Sequence, residues 1–407
     1  MSFKNTLLSG SGSSLEWFDF ALYGFFAPIF SQLFFPHTEN HWLTLIAAYG
    51  VFAVGFLARP IGAILCGYLG DKYGRVLPLK VTPLVITLST AIIAALPTYD
   101  SVGCLSIILL IAIRIIQGIF LGGEYSGNMV YLCERSPRWK YLWGSFASCA
   151  GSFGIILASA VTAIFYKIFD TTFMHHYGWR IAFLMSLPMG FLIFLVRRKI
   201  TESPEFVFNP ILNPLKEVAK KYKFSVFSGL GLIYLHATSY YFVFMFLPVF
   251  LTQKRHFSSG TALMNNTGCM LIHVFFVPIF ALLVTFIGGL KALRISTSLF
   301  LLFSLPIFYF LEHGDNTIVS ACLIALSIMT AFNASILPGL ITELTPSYVR
   351  YTLLALVFNI GFGVFGGLTP TIGLLLSKNA SVFSPGAYLT LSALITLMTT
   401  IMINNAK

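Results

Sequence analysis

The sequence predicts an all-α membrane protein: twelve transmembrane helices in two pseudo-symmetric six-helix bundles. Three observations predict it. Of 407 residues, 57% are hydrophobic and only 10% charged, against about 45–50% and about 25% in a soluble domain. The apolar residues gather in runs of the ~20 residues that a helix rising ~1.5 Å per residue needs to cross a ~30 Å hydrocarbon core. The lysines and arginines fall in the short connections between those runs, mostly on one side. So few charged side chains cannot cover a soluble surface of this size, which excludes a soluble enzyme, a nucleic-acid-binding module and a disordered scaffold. The net charge of +11 is spread over loops with no basic domain, so no nucleic-acid partner is expected.

In chain order the spans run roughly 15–36, 42–66, 77–97, 101–132, 142–168, 179–197, 224–251, 261–287, 291–311, 317–343, 350–377 and 385–404. Glu16 and Asp19 interrupt the first, Arg59 the second and Arg114 the fourth. With both termini cytoplasmic, eighteen of the 25 Lys and Arg lie in inner loops and tails, Arg197, Arg294 and Arg350 among them. Five lie outside, and Arg59 and Arg114 stay within spans. Such a positive-inside bias fits an even number of spans in a cell membrane. The N-terminus lacks the charged n-region and clean apolar h-region of a cleaved signal. The longest inner loop then divides the chain into an N-terminal six-helix bundle over 1–198, a cytoplasmic linker loop over 199–223 and a C-terminal six-helix bundle over 224–407. Residues 214–223 read first as a solvated basic loop and second as a short helix on the inner membrane surface. Six spans, a central inner loop and six more is the layout of a transporter with two similar halves and a midplane site.

Ionisable groups inside a bilayer cost at least ~2.5–3.5 kcal/mol on insertion scales, so each is a candidate for function. Glu16 and Asp19 are three apart and share a helix face that Tyr23 continues. Arg114, Gln117, Leu121 and Glu124 share a face of span four. Arg59 lies about 17 residues into span two, or ~25 Å at the helical rise, in the inner half. These are three acids against two bases. An enclosed acid with no partner could bind and release a proton, which makes Asp19, Glu16 and Glu124 the proton-coupling candidates; the alternative is a fixed structural network of all five. A zwitterionic ligand would place a carboxylate near Arg59 or Arg114. Its cation would lie on aromatic faces such as Trp17, Tyr23, Tyr125, Tyr240 and Tyr241, with Gln117 and Asn359 as hydrogen-bonding residues; bundle packing is the bland alternative for each. His236 and His273, in spans seven and eight, read as hydrogen-bonded packing residues.

The inner loop between spans two and three reads Gly67-Tyr68-Leu69-Gly70-Asp71-Lys72-Tyr73-Gly74-Arg75. Its glycines allow a tight turn. Asp71 can sit at a helix N-terminus and Arg75 can pair with an acid at the inner end of another span. With Glu134, at the inner end of span four, Gly67, Asp71, Gly74 and Arg75 form the expected gating loop. Other stretches are Glu16-Trp17-Phe18-Asp19-Phe20-Ala21-Leu22-Tyr23-Gly24, Arg59-Pro60-Ile61-Gly62, Arg114-Ile115-Ile116-Gln117-Gly118, Gly122-Gly123-Glu124-Tyr125, Gly178-Trp179-Arg180 and Glu202-Ser203-Pro204-Glu205-Phe206. Together these resemble the metabolite:proton symporter family of the major facilitator superfamily, over nearly the whole chain. Within it, Pro97–Gly103, Tyr240-Tyr241, Val349–Thr352, Phe358–Ile360 and Gly367–Pro370 resemble members that carry zwitterions such as proline and glycine betaine. The resemblance implies the major facilitator fold and proton-coupled symport by alternating access. One departure stands out: where the signature loop should recur between spans eight and nine, Thr285 replaces the expected Asp and Gly289 the expected Arg.

No catalytic constellation, nucleotide-binding loop or metal-ligand spacing is present, and the six cysteines are scattered singly. No enzyme activity, cofactor or metal is therefore expected. The expected partners are a small-molecule substrate, a proton and membrane lipid, with the protein a monomer. A small mono- or dicarboxylate is the alternative substrate, because an anion needs net positive charge around it. A membrane sensor without flux is an alternative from another class.

Overall fold

The structure, a computed structural model, describes residues 3–36, 41–198, 201–202, 214–379 and 383–405. Its long helical runs are α1 (Phe3–Leu33), α2 (His41–Tyr73), α3 (Val76–Ala95), α4 (Leu105–Arg135), α5 (Lys140–Ile168) and α6 (Thr171–Arg197). They continue as α7 (Lys223–Thr252), α8 (Ser259–Ile287), α9 (Gly289–His313), α10 (Asn316–Glu343), α11 (Ser347–Ser377) and α12 (Ser384–Asn405). Among the described residues, eleven helices are long and apolar enough to cross a membrane. The remaining long run, α1, has the length, but Glu16 and Asp19 lower its hydropathy.

Helix ends lie beyond the apolar runs at several places. α1 starts at Phe3 rather than near residue 15, and α2 continues to Tyr73 rather than stopping near 66. A helix satisfies its own backbone, so polar and small residues extend it past the hydrocarbon-length core. One-turn π segments interrupt α6 at Met174–Gly178, α7 at Phe242–Phe246 and α11 at Gly361–Gly366. Residues 214–221, read first as a solvated loop, instead form a helix, Pro214–Lys221. Its Val218 is buried and its Lys221 pairs with Glu217 at 2.8 Å. The rest of the linker falls largely on residues 203–213, outside the described residues, as does Glu205.

The chain divides into two compact units. The first comprises Met1–Leu132 and Ala150–Pro214, the second Cys133–Cys149 and Leu215–Lys407. The first is built on an aromatic core. Phe18, Phe26, Phe30 and Phe34 of α1 are fully buried, and the last three meet Trp179 or Phe183 of α6, with Phe30 and Trp179 centroids 5.3 Å apart. Leu57, Ile61 and Leu65 of α2, at four-residue spacing, are exposed in one stripe, as a lipid-facing surface requires.

Close helix approach positions the polar residues of this unit. A Cβ at Gly118 would collide with the carbonyl of Gly55, and one at Gly122 with the carbonyl of Arg59. Small residues four apart let α2 and α4 touch backbone to backbone, which fixes Arg59 and Arg114 across one seam. Gly122→Leu is expected to force that seam apart. Overpacking alone costs ~1–3 kcal/mol, and a collision with backbone lies at the top of that range or above. A thermal melt of the purified protein should show the loss, and an unchanged melting temperature would contradict this packing.

Candidate functional site

The signature turn lies between α2 and α3. Gly74 has φ +107°, a conformation open to glycine and strained for other residues. The Arg75 guanidinium donates to Asp71 Oδ1 at 2.5 Å and to the Gly70 carbonyl at 2.7 Å. Arg75 thus pairs with an acid of its own loop. Glu202 takes the helix-capping place expected of Asp71: its Oε1 and Oε2 accept from the backbone N–H of Arg75 at 3.0 Å and Val76 at 3.2 Å. Gly67 is buried on α2.

Deeper in the first unit, three acids meet three bases. Glu16 Oε1 accepts from Arg59 Nη2 at 3.4 Å, a long contact. Arg59 lies over the rings of Trp17 and Phe56 at 5.5 and 5.7 Å. Glu124 is held far more firmly. Its Oε1 accepts from Arg197 Nη2 at 2.6 Å, its Oε2 from Arg197 Nη1 at 2.9 Å, and the Thr82 hydroxyl also donates to it. Arg197 is 0% exposed, so its assignment to an inner loop is corrected. The tally of three acids against two bases fails with it. Gly12 of α1 lies against this pair, where a Cβ would strike both side chains.

Asp19 and Arg114 form the third set, joined through two intermediates. Arg114 Nη1 donates to Gln117 Oε1 at 3.0 Å, Gln117 Nε2 donates to Thr90 Oγ1 at 2.8 Å, and the Thr90 hydroxyl donates to Asp19 Oδ2 at 2.8 Å. Helices α1, α3 and α4 each contribute. The Arg114 guanidinium is ringed by Tyr23, Phe20 and Phe52, its Cζ 4.3, 4.7 and 5.4 Å from their centroids. Both charges are buried, yet among the described residues Arg114 Nε and Nη2 and Asp19 Oδ1 have no hydrogen-bond partner. Tyr23 is anchored by its hydroxyl, which donates to the Ala48 carbonyl at 3.2 Å. Trp17 meets Tyr125 edge-on, centroids 5.9 Å apart. The sequence reading found Asp19, Arg114 and Gln117 but missed Thr90, the hydroxyl that joins them, and Arg197.

The second unit holds Tyr240, Tyr241 and Asn359, all buried. The Asn359 amide donates to the Ala355 carbonyl of its own helix at 2.8 Å. Glu134 also lies here. Its Oε1 accepts from Arg350 Nη1 at 3.0 Å, so Arg350 is another inner-loop cation with a specific acid. At the departed repeat, Thr285 bonds back to the Ala281 carbonyl, and Gly289 lies where a Cβ would strike the Tyr141 hydroxyl. That hydroxyl donates to Glu343 Oε2 at 2.8 Å, which Lys140 also pairs with at 3.0 Å. Gly289 therefore makes room for a Tyr141–Glu343–Lys140 cluster that no spacing in the sequence announced. Among the described residues, no three His, Cys, Asp or Glu gather as a metal site.

Comparison with known proteins follows the same lines. The profile of the family described as "Sugar (and other) transporter" matches residues 6–210. The chain is 31% identical over 395 residues to a "Putative proline/betaine transporter" of Staphylococcus aureus (strain MSSA476), covering 95% of this chain and 85% of that one. It is 29% identical over 405 residues to the "Proline/betaine transporter" of Escherichia coli (strain K12), covering 95% and 80%. Among solved structures, the proton:xylose symporter XylE superposes with TM-score 0.78 at 17% identity, over 99% of this chain and 95% of that one. The human organic anion transporter MFSD10 superposes with TM-score 0.70 at 16% identity, over 98% of each. XylE is described as a major facilitator superfamily protein, and the likeness establishes that fold here.

Proposed function

The chain belongs to the sugar (and other) transporter family, and from that premise we propose that it is a secondary active transporter, working by alternating access, that carries a small zwitterion such as proline or glycine betaine together with a proton. The observation that carries the substrate reading is Arg114, a buried cation with two unpartnered donor nitrogens among the rings of Phe20, Tyr23 and Phe52. A buried guanidinium fork with open donors suits a carboxylate. The names of the relatives supply the rest of the substrate class. Trp17 and Tyr125, in the same unit as Arg114, offer faces for the cationic end.

Asp19 is our choice for the coupled proton. Glu124 holds two charge-assisted bonds to Arg197, and protonation would break them. Glu16 holds one long bond to Arg59. Asp19 holds a neutral hydroxyl and an open oxygen, and its balancing cation is Arg114, at the far end of the Thr90–Gln117 chain. A substrate carboxylate on Arg114 neutralises that cation, and Asp19 then binds a proton more readily. By linkage, a proton on Asp19 favours the carboxylate on Arg114 to the same degree. Substrate and proton therefore load together. We place both termini on the cytoplasmic side of the cell membrane, on the charge bias of the loops, and take the working unit to be a monomer.

Arg114→Lys keeps the charge but loses the fork and its open N–H pair. Hydrogen bonds to charged groups are worth ~1.5–3 kcal/mol, so KM for the zwitterion is expected to rise about ten- to hundredfold. The substrate class is tested by uptake of labelled glycine betaine in cells expressing the chain, challenged with unlabelled proline or succinate. Competition by proline alone supports the proposal. Competition by succinate alone would move Arg114 into a carboxylate transporter, the reading its open donors also permit.

A further inference from the structure

At one end of the second unit, α7 and α11 begin and α10 and α12 finish. A cavity of about 170 Å³ opens there. Its wall includes Phe224, Ser228 and Leu232 of α7, Leu344 just past α10, Leu353 of α11 and Ile403 of α12. No residue of the substrate or proton site lines it. The polar groups of the wall are turned to backbone. The Ser228 hydroxyl donates to the Ser225 carbonyl at 3.2 Å, and the Thr345 hydroxyl to the Ile341 carbonyl at 2.7 Å. What remains is apolar surface. An apolar cavity of ~150 Å³ takes a benzene-sized group, so this one takes a stretch of hydrocarbon. A polar solute would lose its water there with few hydrogen bonds in return.

The approach to this groove is basic. Phe224, in its wall, directly follows Lys223, and the helix Pro214–Lys221 before it carries Lys216, Lys220 and Lys221. All four lysines are exposed. The helix is seated on the unit, with Val218 buried and the Tyr222 hydroxyl beside it meeting that of Tyr348 on α11. The acids closest along the chain are engaged: Glu217 with Lys221 at 2.8 Å and Glu343 with Lys140 at 3.0 Å. Lys220 and Lys223 therefore keep their charge toward solvent. Next to them the rings of Phe224 and Phe227 are 51% and 72% exposed. Lysines beside exposed aromatic rings, at the level where helices end, suit the boundary between headgroups and acyl chains.

We propose that this groove seats one anionic phospholipid, with part of an acyl chain in the cavity and the phosphate on Lys220 and Lys223. Complementarity selects the occupant. The apolar wall alone would take the chain of any lipid, and the lysines alone would attract any anion. Only a molecule that joins a hydrocarbon chain to an anionic head satisfies both. The site lies within the second unit and holds whatever the transported substrate is.

The test offers the purified full-length protein, in detergent, equimolar dioleoyl phosphatidylglycerol and dioleoyl phosphatidylcholine, and counts retained lipid by native mass spectrometry. One phosphatidylglycerol per protein is expected, preferred about tenfold or more, since each lysine near an anionic surface is worth about fivefold. Lys220→Gln with Lys223→Gln should remove most of that preference. Ser228→Phe fills the groove and should abolish retention of either lipid. Ser225→Leu, which adds bulk to the same wall from a less buried position, serves where Ser228→Phe fails to fold. Equal retention of the two lipids by the wild type overturns the proposal. So does a preference that the lysine change removes and the groove variants leave intact, because that is attraction to the surface alone. Displacement of the lipid by excess glycerol phosphate, which has the head and no chain, would mark a site for free phosphate and also overturn it.

Discussion

Asp19→Asn is expected to abolish accumulation while sparing exchange. Asparagine keeps the size of the side chain and an oxygen for the Thr90 hydroxyl, which donates to Asp19 at 2.8 Å, but it takes up no proton. With one proton per substrate, a gradient of one pH unit holds about tenfold accumulation, since each unit is worth ~1.36 kcal/mol. In proteoliposomes the variant should equilibrate substrate without concentrating it, and counterflow of labelled against unlabelled substrate should persist. Undiminished accumulation would remove Asp19 from the coupling role and leave Glu16, with its open Oε2, as the next acid to test. Loss of exchange as well would mark Asp19 as structural.

Glu124→Ala is expected to be the most destabilising single change in the first unit. It strands Arg197, which is 0% exposed and bonded to both Glu124 oxygens. Removing one partner of a buried pair costs ~3–5 kcal/mol, because the remaining charge is uncompensated. The double change Glu124→Ala with Arg197→Leu should recover much of that loss, since replacing a whole buried pair by apolar groups is often close to neutral. Thermal melts of the two variants beside the wild type measure both effects. A single variant that melts like the wild type would contradict the burial of this pair.

The contrast between Asp19 and Glu124 shows where the sequence was legible and where it was not. Composition and loop charge expose the membrane class and the spans, because both follow from the solvent and need no tertiary knowledge. Glu16, Asp19, Arg59, Arg114 and Glu124 stand out as charges within apolar runs. Their partners do not, because partners are set by helix contacts. Arg197 stands beside Arg198 and Lys199 at the end of span six and reads as one more inner-loop cation. The excess of one acid among the intramembrane charges reads in the sequence as a site for a proton, whereas in the structure Arg197 closes the tally. Thr90 carries no such mark: a threonine in an apolar run is ordinary until Asp19 and Gln117 are seen on either side of it. His236 and His273 lie on separate helices, and their meeting around Tyr240 is a matter of helix packing alone. The loss of the second signature loop was visible at Thr285 and Gly289, but the reason Gly289 fits, the Tyr141 hydroxyl beside it, was not.

The central claim is that a small zwitterion and a proton move together through this protein. The most direct measurement is uptake of labelled glycine betaine and proline into proteoliposomes containing only this chain, with the outside acidified and with or without a protonophore. The account predicts accumulation above equilibrium that vanishes with the protonophore, and alkalinisation outside the vesicles on addition of either substrate. Accumulation indifferent to the protonophore, or zwitterion entry with no proton movement, would contradict it.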